Sequence, residues 1–151
     1  MAYRRQELNL DSSYAAIYTP DLRIYDRYND IQLFVPPSGY VAAAYARTDY
    51  KYETWFAPAG MNRGDLRISS IREIYNLGGR DTLADSQINP VRFIPGSGYK
   101  IWGADTLQSM ASALSNVNVR RLLNHIEKSI SIAALYSVFN PHDEVLRAFL
   151  V

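Results

Sequence analysis

Proline and glycine punctuate two runs of this chain at fixed intervals between aromatic and branched residues. The first is Val35-Pro36-Pro37-Ser38-Gly39-Tyr40-Val41, leading through Tyr45-Ala46-Arg47-Thr48-Asp49 to Trp55-Phe56-Ala57-Pro58-Ala59-Gly60. The second is Ile88-Asn89-Pro90-Val91-Arg92-Phe93-Ile94-Pro95-Gly96-Ser97-Gly98, with Ile101-Trp102-Gly103 after it. Proline fixes φ and removes a donor, and glycine opens conformations closed to other residues, so such runs prescribe backbone shape and packing. Groups that move protons or hold metals are sparse in both. The residues point to a building block.

The 151 residues suit one domain with an ordinary core, and 48% hydrophobic with 21% charged residues is the balance of a globular protein. A net charge of +1 gives no general attraction to nucleic acid or to an anionic membrane, so any basic contact is local. The absence of cysteine removes disulfides, thiolate nucleophiles and cysteine metal sites. Residues 1–8 lack the apolar stretch of a signal peptide, and no run approaches the ~20 apolar residues of a membrane span. Twelve tyrosines suit half-buried surfaces and interfaces; the plainer account is that they line the edge of a strand-rich core.

Residues 14–18 read as a short buried strand stopped by Thr19-Pro20-Asp21, and residues 22–26 and 31–35 as a hairpin turning at Asn29-Asp30. Pro36-Pro37-Ser38 opens a helix that Ser38 caps and that frays by Thr48-Asp49. Residues 55–64 form an ordered loop whose shape rests on Pro58, Gly60 and Gly64. Ile68, Ile71, Ile74 and Tyr75 fit a strand or a helical stretch, which Leu77-Gly78-Gly79-Arg80 breaks; residues 81–86 make a turn or two of helix. Residues 91–94 and 99–102 flank the turn of Pro95, Gly96, Ser97 and Gly98 as paired strands. The longest helix spans residues 117–138, with Val119, Leu122, Leu123, Ile126, Ile130, Ala133 and Ala134 on one face. Asn140-Pro141-His142-Asp143 resembles a cap with a first-turn proline, starting a final helix. The fold expected is a single mixed α/β (α+β) domain over 1–151, with a central sheet, the long amphipathic helix near its C-terminus and further helices packed on the sheet.

Enzymatic chemistry finds little support. Pro95-Gly96-Ser97-Gly98-Tyr99-Lys100 mimics a phosphate-binding loop, but both its flanks read as strands, whereas such loops run from a strand into a helix. Gly96-Ser97-Gly98 lacks the spacing of a nucleophile elbow. His125 and His142 are far apart, and Lys128 and Ser129 occupy the positions where a second metal ligand to His125 would stand. No catalytic residue, cofactor or metal site is assigned.

The order of these motifs, followed by Asn118-Val119-Arg120-Arg121-Leu122-Leu123 and Ile126-Glu127-Lys128-Ser129-Ile130, resembles the core of the contractile tail sheath proteins of myovirus-type bacteriophages, from about Ser12 to the end. The resemblance implies a structural subunit of the virion tail, assembled in the host cytoplasm as a helical sleeve around the tail tube. Contraction of that sleeve drives the tube through the host envelope. Its partners would be other sheath subunits, the tube, and the baseplate and tail terminator proteins, with no direct nucleic-acid or membrane contact. Sheaths of phage-derived injection systems are the nearest alternative, and a small phosphate-ligand enzyme a distant one. The resemblance makes Arg120, Arg121, Lys128 and Arg147 candidates for contacting the tube or a neighbouring subunit; the alternative is a solvated face or an internal pair with Glu127. Sheath proteins are several times longer and carry terminal arms that add strands to neighbours. Residues 1–11 are therefore expected to be an arm or linker remnant, and this polypeptide alone is not expected to build a sleeve. Asp105 stands where the resemblance suggests a basic residue.

Overall fold

The computed structural model describes residues 10–141 and 143–150. Residues 1–9 of the arm remnant expected over 1–11, and His142, lie outside them. Strands β1 (Ile17–Thr19), β2 (Leu22–Asp26) and β3 (Ile31–Val35) lead into α1 (Ser38–Lys51). Then come α2 (Gly60–Arg63), β4 (Asp65–Leu66), β5 (Ser70–Ile71), α3 (Leu77–Asp85), β6 (Ile88–Ile94) and β7 (Gly98–Ile101). A single 3₁₀ turn (Ala113–Ser115) precedes the long α4 (Val117–Ala134), a second 3₁₀ turn (Leu135–Ser137) follows it, and α5 (Glu144–Leu150) ends the described chain.

The expected mixed α+β domain is present, with two sheets in place of one. Four strands lie in the order β1-β6-β7-β4, with β1 parallel to β6 and the other pairs antiparallel. Three lie antiparallel in the order β3-β2-β5. The β2–β3 hairpin has the anticipated limits and registers Leu22 against Val35 and Asp26 against Ile31. The second hairpin pairs Val91 with Ile101 and Ile94 with Gly98. Here Gly96 and Gly98 have φ of 76° and 80°, a region that side chains disfavour. The buried strand expected over 14–18 falls instead at Ile17–Thr19, since Tyr14 is exposed and pairing begins at Ile17.

The core lies between the sheets and α1, where Tyr18, Leu22, Val41, Ala44, Leu66, Ile71, Val91 and Ile101 meet. Val41, Ala44 and Thr48 form the buried stripe of α1. Burial of Thr48, whose hydroxyl donates to the Ala44 carbonyl at 2.8 Å, carries this helix past the expected fraying point to Lys51. Pro37 occupies the cap position without a side-chain bond, so Ser38 is the first helical residue and not the cap. Gly78 and Gly79 do not break the chain. Asn76 caps α3 by accepting the Gly79 N–H at 2.8 Å, which offsets the glycines' weak propensity, and the helix lies against β6. At the start of α5 the Asp143 carboxylate accepts the Leu146 N–H at 2.8 Å, so the cap falls three residues after Asn140.

The amphipathic spacing of α4 is matched by burial only at its root. Val117 and Arg120 are buried and Val119, Leu122 and Leu123 half-buried, but Ile126 and Ile130 are exposed to 40% and 62%. The first turns pack on the body, and the rest of the helix runs clear of it.

Candidate functional site

Beta strand β6 enters the core with Ile88, Asn89, Pro90 and Val91 all buried. A buried amide must find partners, and Asn89 finds three: its Nδ2 donates to the carbonyls of Ile17 (3.1 Å) and Asp105 (2.8 Å), and its Oδ1 accepts the Asp105 N–H (2.8 Å). Thus one side chain ties β1, β6 and the segment after Trp102 together. Gly103 makes room for it, since a Cβ there would stand 2.5 Å from Asn89 Oδ1. Pro90, which has no N–H to offer, gives its carbonyl to the Trp102 N–H at 2.8 Å. Sequence reasoning missed this hub, although an asparagine inside an otherwise apolar strand run was its visible signal. Asp105 is held through its backbone, and partial burial raises its carboxyl above the usual range.

The loop at 57–64 owes its shape to two different glycine effects. Gly60 has φ of 82°, whereas Gly64 is constrained by space, with a Cβ there 2.7 Å from the Ile101 carbonyl oxygen and 2.8 Å from that of Gly60. Pro58 is buried beside them. Gly64 also joins the neighbouring strands, its carbonyl accepting the Ile101 N–H at 2.8 Å. The glycine-rich turn at Pro95 joins two antiparallel strands, and Lys100 behind it is buried in an ion pair with the Asp65 carboxylate. That geometry offers no helix N-terminus to a phosphate.

The four basic residues singled out by resemblance separate into two groups. Arg120 is buried at the root of α4 with its guanidinium 4.0 Å from the Tyr14 ring centre. It donates to the Tyr14 hydroxyl (2.6 Å), to Asn124 (2.9 Å) and to Glu127 (3.1 Å). The Glu127 pair is the internal alternative considered for it. Arg121 pairs with the Asp49 carboxylate of α1 and lies 4.7 Å over the Tyr45 ring. Lys128 is exposed and makes no ion pair among the described residues, and Arg147 is exposed on α5.

The two arginines border a cavity of about 300 Å³ with Tyr14, Tyr18, Val41 and Tyr45. The Tyr18 and Tyr45 hydroxyls bond each other at its base. Burial pushes both phenols above the ordinary tyrosine value, most strongly Tyr18, so both are neutral at physiological pH. These groups fasten a helix to a domain; nothing among them is arranged as a nucleophile beside a base. No cluster of histidine and acidic residues suited to a metal occurs among the described residues, and no described helix is long and apolar enough to cross a membrane.

The chain is similar to the tail sheath protein of Vibrio phage KVP40, at 38% identity over 142 residues, covering 93% of this chain and 21% of that protein. It is similar also to the tail sheath protein of Enterobacteria phage T4, at 35% over 148 residues, covering 97% of this chain and 22% of that one. Among solved structures it resembles the helical sheath of the anti-feeding prophage in its contracted state, with a TM-score of 0.79, 26% identity, and coverage of 92% of this chain and 38% of the other. The contracted sheath complex of the extracellular contractile injection system PVC gives a TM-score of 0.80 and 26% identity over 99% of this chain and 40% of its own. No family model matches. The chain spans about a fifth of the length of the phage relatives.

Proposed function

We propose that this chain, a relative of the phage tail sheath proteins over nearly all its length, is a structural sheath subunit of a phage tail that packs with its copies into a contractile helical sleeve. The observation that carries this reading is the match of one fold, across 92% or more of the chain, to sheaths in the contracted state. The phage relatives at 35% and 38% identity favour a phage tail over an injection system, whose solved sheaths stand at 26%. In this reading the protein is mechanical and not an enzyme, is assembled in the host cytoplasm, and meets the tube inside the sleeve and the baseplate and terminator at its ends.

Arg120 and Arg121 act as the staple that holds the root of α4. Lys128 on the exposed part of α4, together with Arg147, makes the charged contact with the tube. The internal bonds of the two arginines and the exposure of the two outer residues support this division.

Immunogold electron microscopy of native particles tests the main reading: label spaced along a sleeve around the tail is expected. Label confined to the head or fibres would overturn it. Tube binding by Lys128→Glu/Arg147→Glu should fall at low salt, and salt-independent binding would refute the charged contact.

A further inference from the structure

A second cluster of basic residues lies away from those four. Arg47 and Lys51 on α1, Arg63 at the end of α2 and Arg67 after β4 border one cavity of about 120 Å³. The only carboxylate bordering it is Asp65, which is paired with Lys100. None of the four cations forms an ion pair among the described residues.

Two of them are held in place without being neutralised. Arg47 donates through Nη2 to the backbone carbonyls of Asp65 and Arg63. Arg63 donates through Nε to the Ala57 carbonyl at 2.8 Å and lies 5.0 Å and 5.7 Å from the ring centres of Phe56 and Tyr52. Lys51 and Arg63 also sit in the last turns of their helices, where the dipole favours a cation. Lys51 and Arg67 are exposed and reach solvent at the rim. Like charges gathered this closely repel one another, and a carboxylate group relieves that repulsion while taking the donors they offer.

We propose that this cavity is a docking site for an acidic segment of another protein, one carrying at least two carboxylates close together. It deepens the structural reading above by assigning a partner-binding surface to residues the sequence does not bring together. Protein carboxylates suit it better than nucleic acid. A chain of net charge +1 exerts no long-range pull on an extended polyanion, so a short local group of carboxylates matches these four cations better.

The test is fluorescence anisotropy of labelled hexaglutamate titrated with the 151-residue chain at low salt, with hexaglutamine and a short single-stranded oligonucleotide as parallel probes. Saturable binding of hexaglutamate alone is expected, weakening at least tenfold on moving to physiological salt. Lys51→Glu/Arg67→Glu should weaken it a further tenfold or more with melting unchanged, because neither side chain has a hydrogen-bond or ion-pair partner among the described residues. The milder Lys51→Ala/Arg67→Ala should give a smaller loss, and Arg27→Glu on the β2–β3 turn none. No binding of hexaglutamate, binding indifferent to both double variants, or tighter binding of the oligonucleotide would each overturn the proposal. Loss of the site leaves the sleeve reading standing, since gold labelling of the tail decides that separately.

Discussion

Replacing Asn89 with alanine removes three hydrogen bonds at a site only 1% exposed and takes from both backbone groups of Asp105 the side-chain partners that tie them to β6. At ~0.5–1.5 kcal/mol net for each bond, the loss comes to about 1.5–4.5 kcal/mol. For a domain of this size each kcal/mol lowers the midpoint by roughly 2–4 °C, so a fall of about 6–12 °C is expected near the middle of that range. Asn89→Asp is the sharper comparison. It keeps the oxygen that accepts the Asp105 N–H, but it turns the donor toward two carbonyls into a second acceptor and buries a charge among them. Its folded-state pKa must therefore rise above the ordinary carboxylate value. A carboxyl raised in the folded state contributes its stability below its unfolded pKa and loses it as pH rises, so this variant should be less stable than Asn89→Ala at pH 7 and recover toward pH 4. Thermal and urea melts of the three proteins at pH 4, 5.5 and 7 read both effects. A midpoint within 2 °C of wild type for Asn89→Ala, or an Asn89→Asp protein that gains stability with rising pH, would refute the argument.

Gly64→Ala should cost ~1–3 kcal/mol because its methyl meets two fixed backbone oxygens, and Gly60→Val a similar amount through its positive φ. Gly39→Ala, with open space in the first turns of α1, should gain up to ~1 kcal/mol; equal melting of the three variants would contradict this. The raised Tyr18 and Tyr45 phenols predict stability that holds below the ordinary tyrosine value of 10.0 and falls as pH climbs above it. Urea midpoints between pH 8 and 12 should therefore decline less steeply for Tyr18→Phe than for wild type. Arg120→Ala should cost ~1.5–3 kcal/mol through lost bonds and stem packing while Lys128→Ala stays within ~0.5 kcal/mol, and comparable melting losses for the two would undo the division between staple and exposed charge.

Elements governed by near neighbours in the chain were legible from the residues. The alternation of 22–26 and 31–35 about Asn29-Asp30, and the glycine turn between β6 and β7, specify hairpins because turn chemistry and the period of two act within a few positions. The helical spacing of α1 and α4 is legible for the same reason, and the order of the proline and glycine runs was enough to point to the sheath family. What lay beyond reach depends on which distant groups share a volume. Gly78 and Gly79 read as a break, yet cap and packing on β6 hold them in a helix. The stripe of α4 says which residues share a face, but only the position of the body decides that the stripe is covered at its root and open beyond Ile126. Arg120 carries the same charge as Lys128; its pair with Glu127 lies within one helix and was legible, but only tertiary structure brings Tyr14 to the one and leaves the other in water. Asn89 with Asp105, and the meeting of Arg47, Lys51, Arg63 and Arg67, likewise arise from chain segments folded against one another. Burial and charge density are properties of that packing, and no window along the sequence contains them.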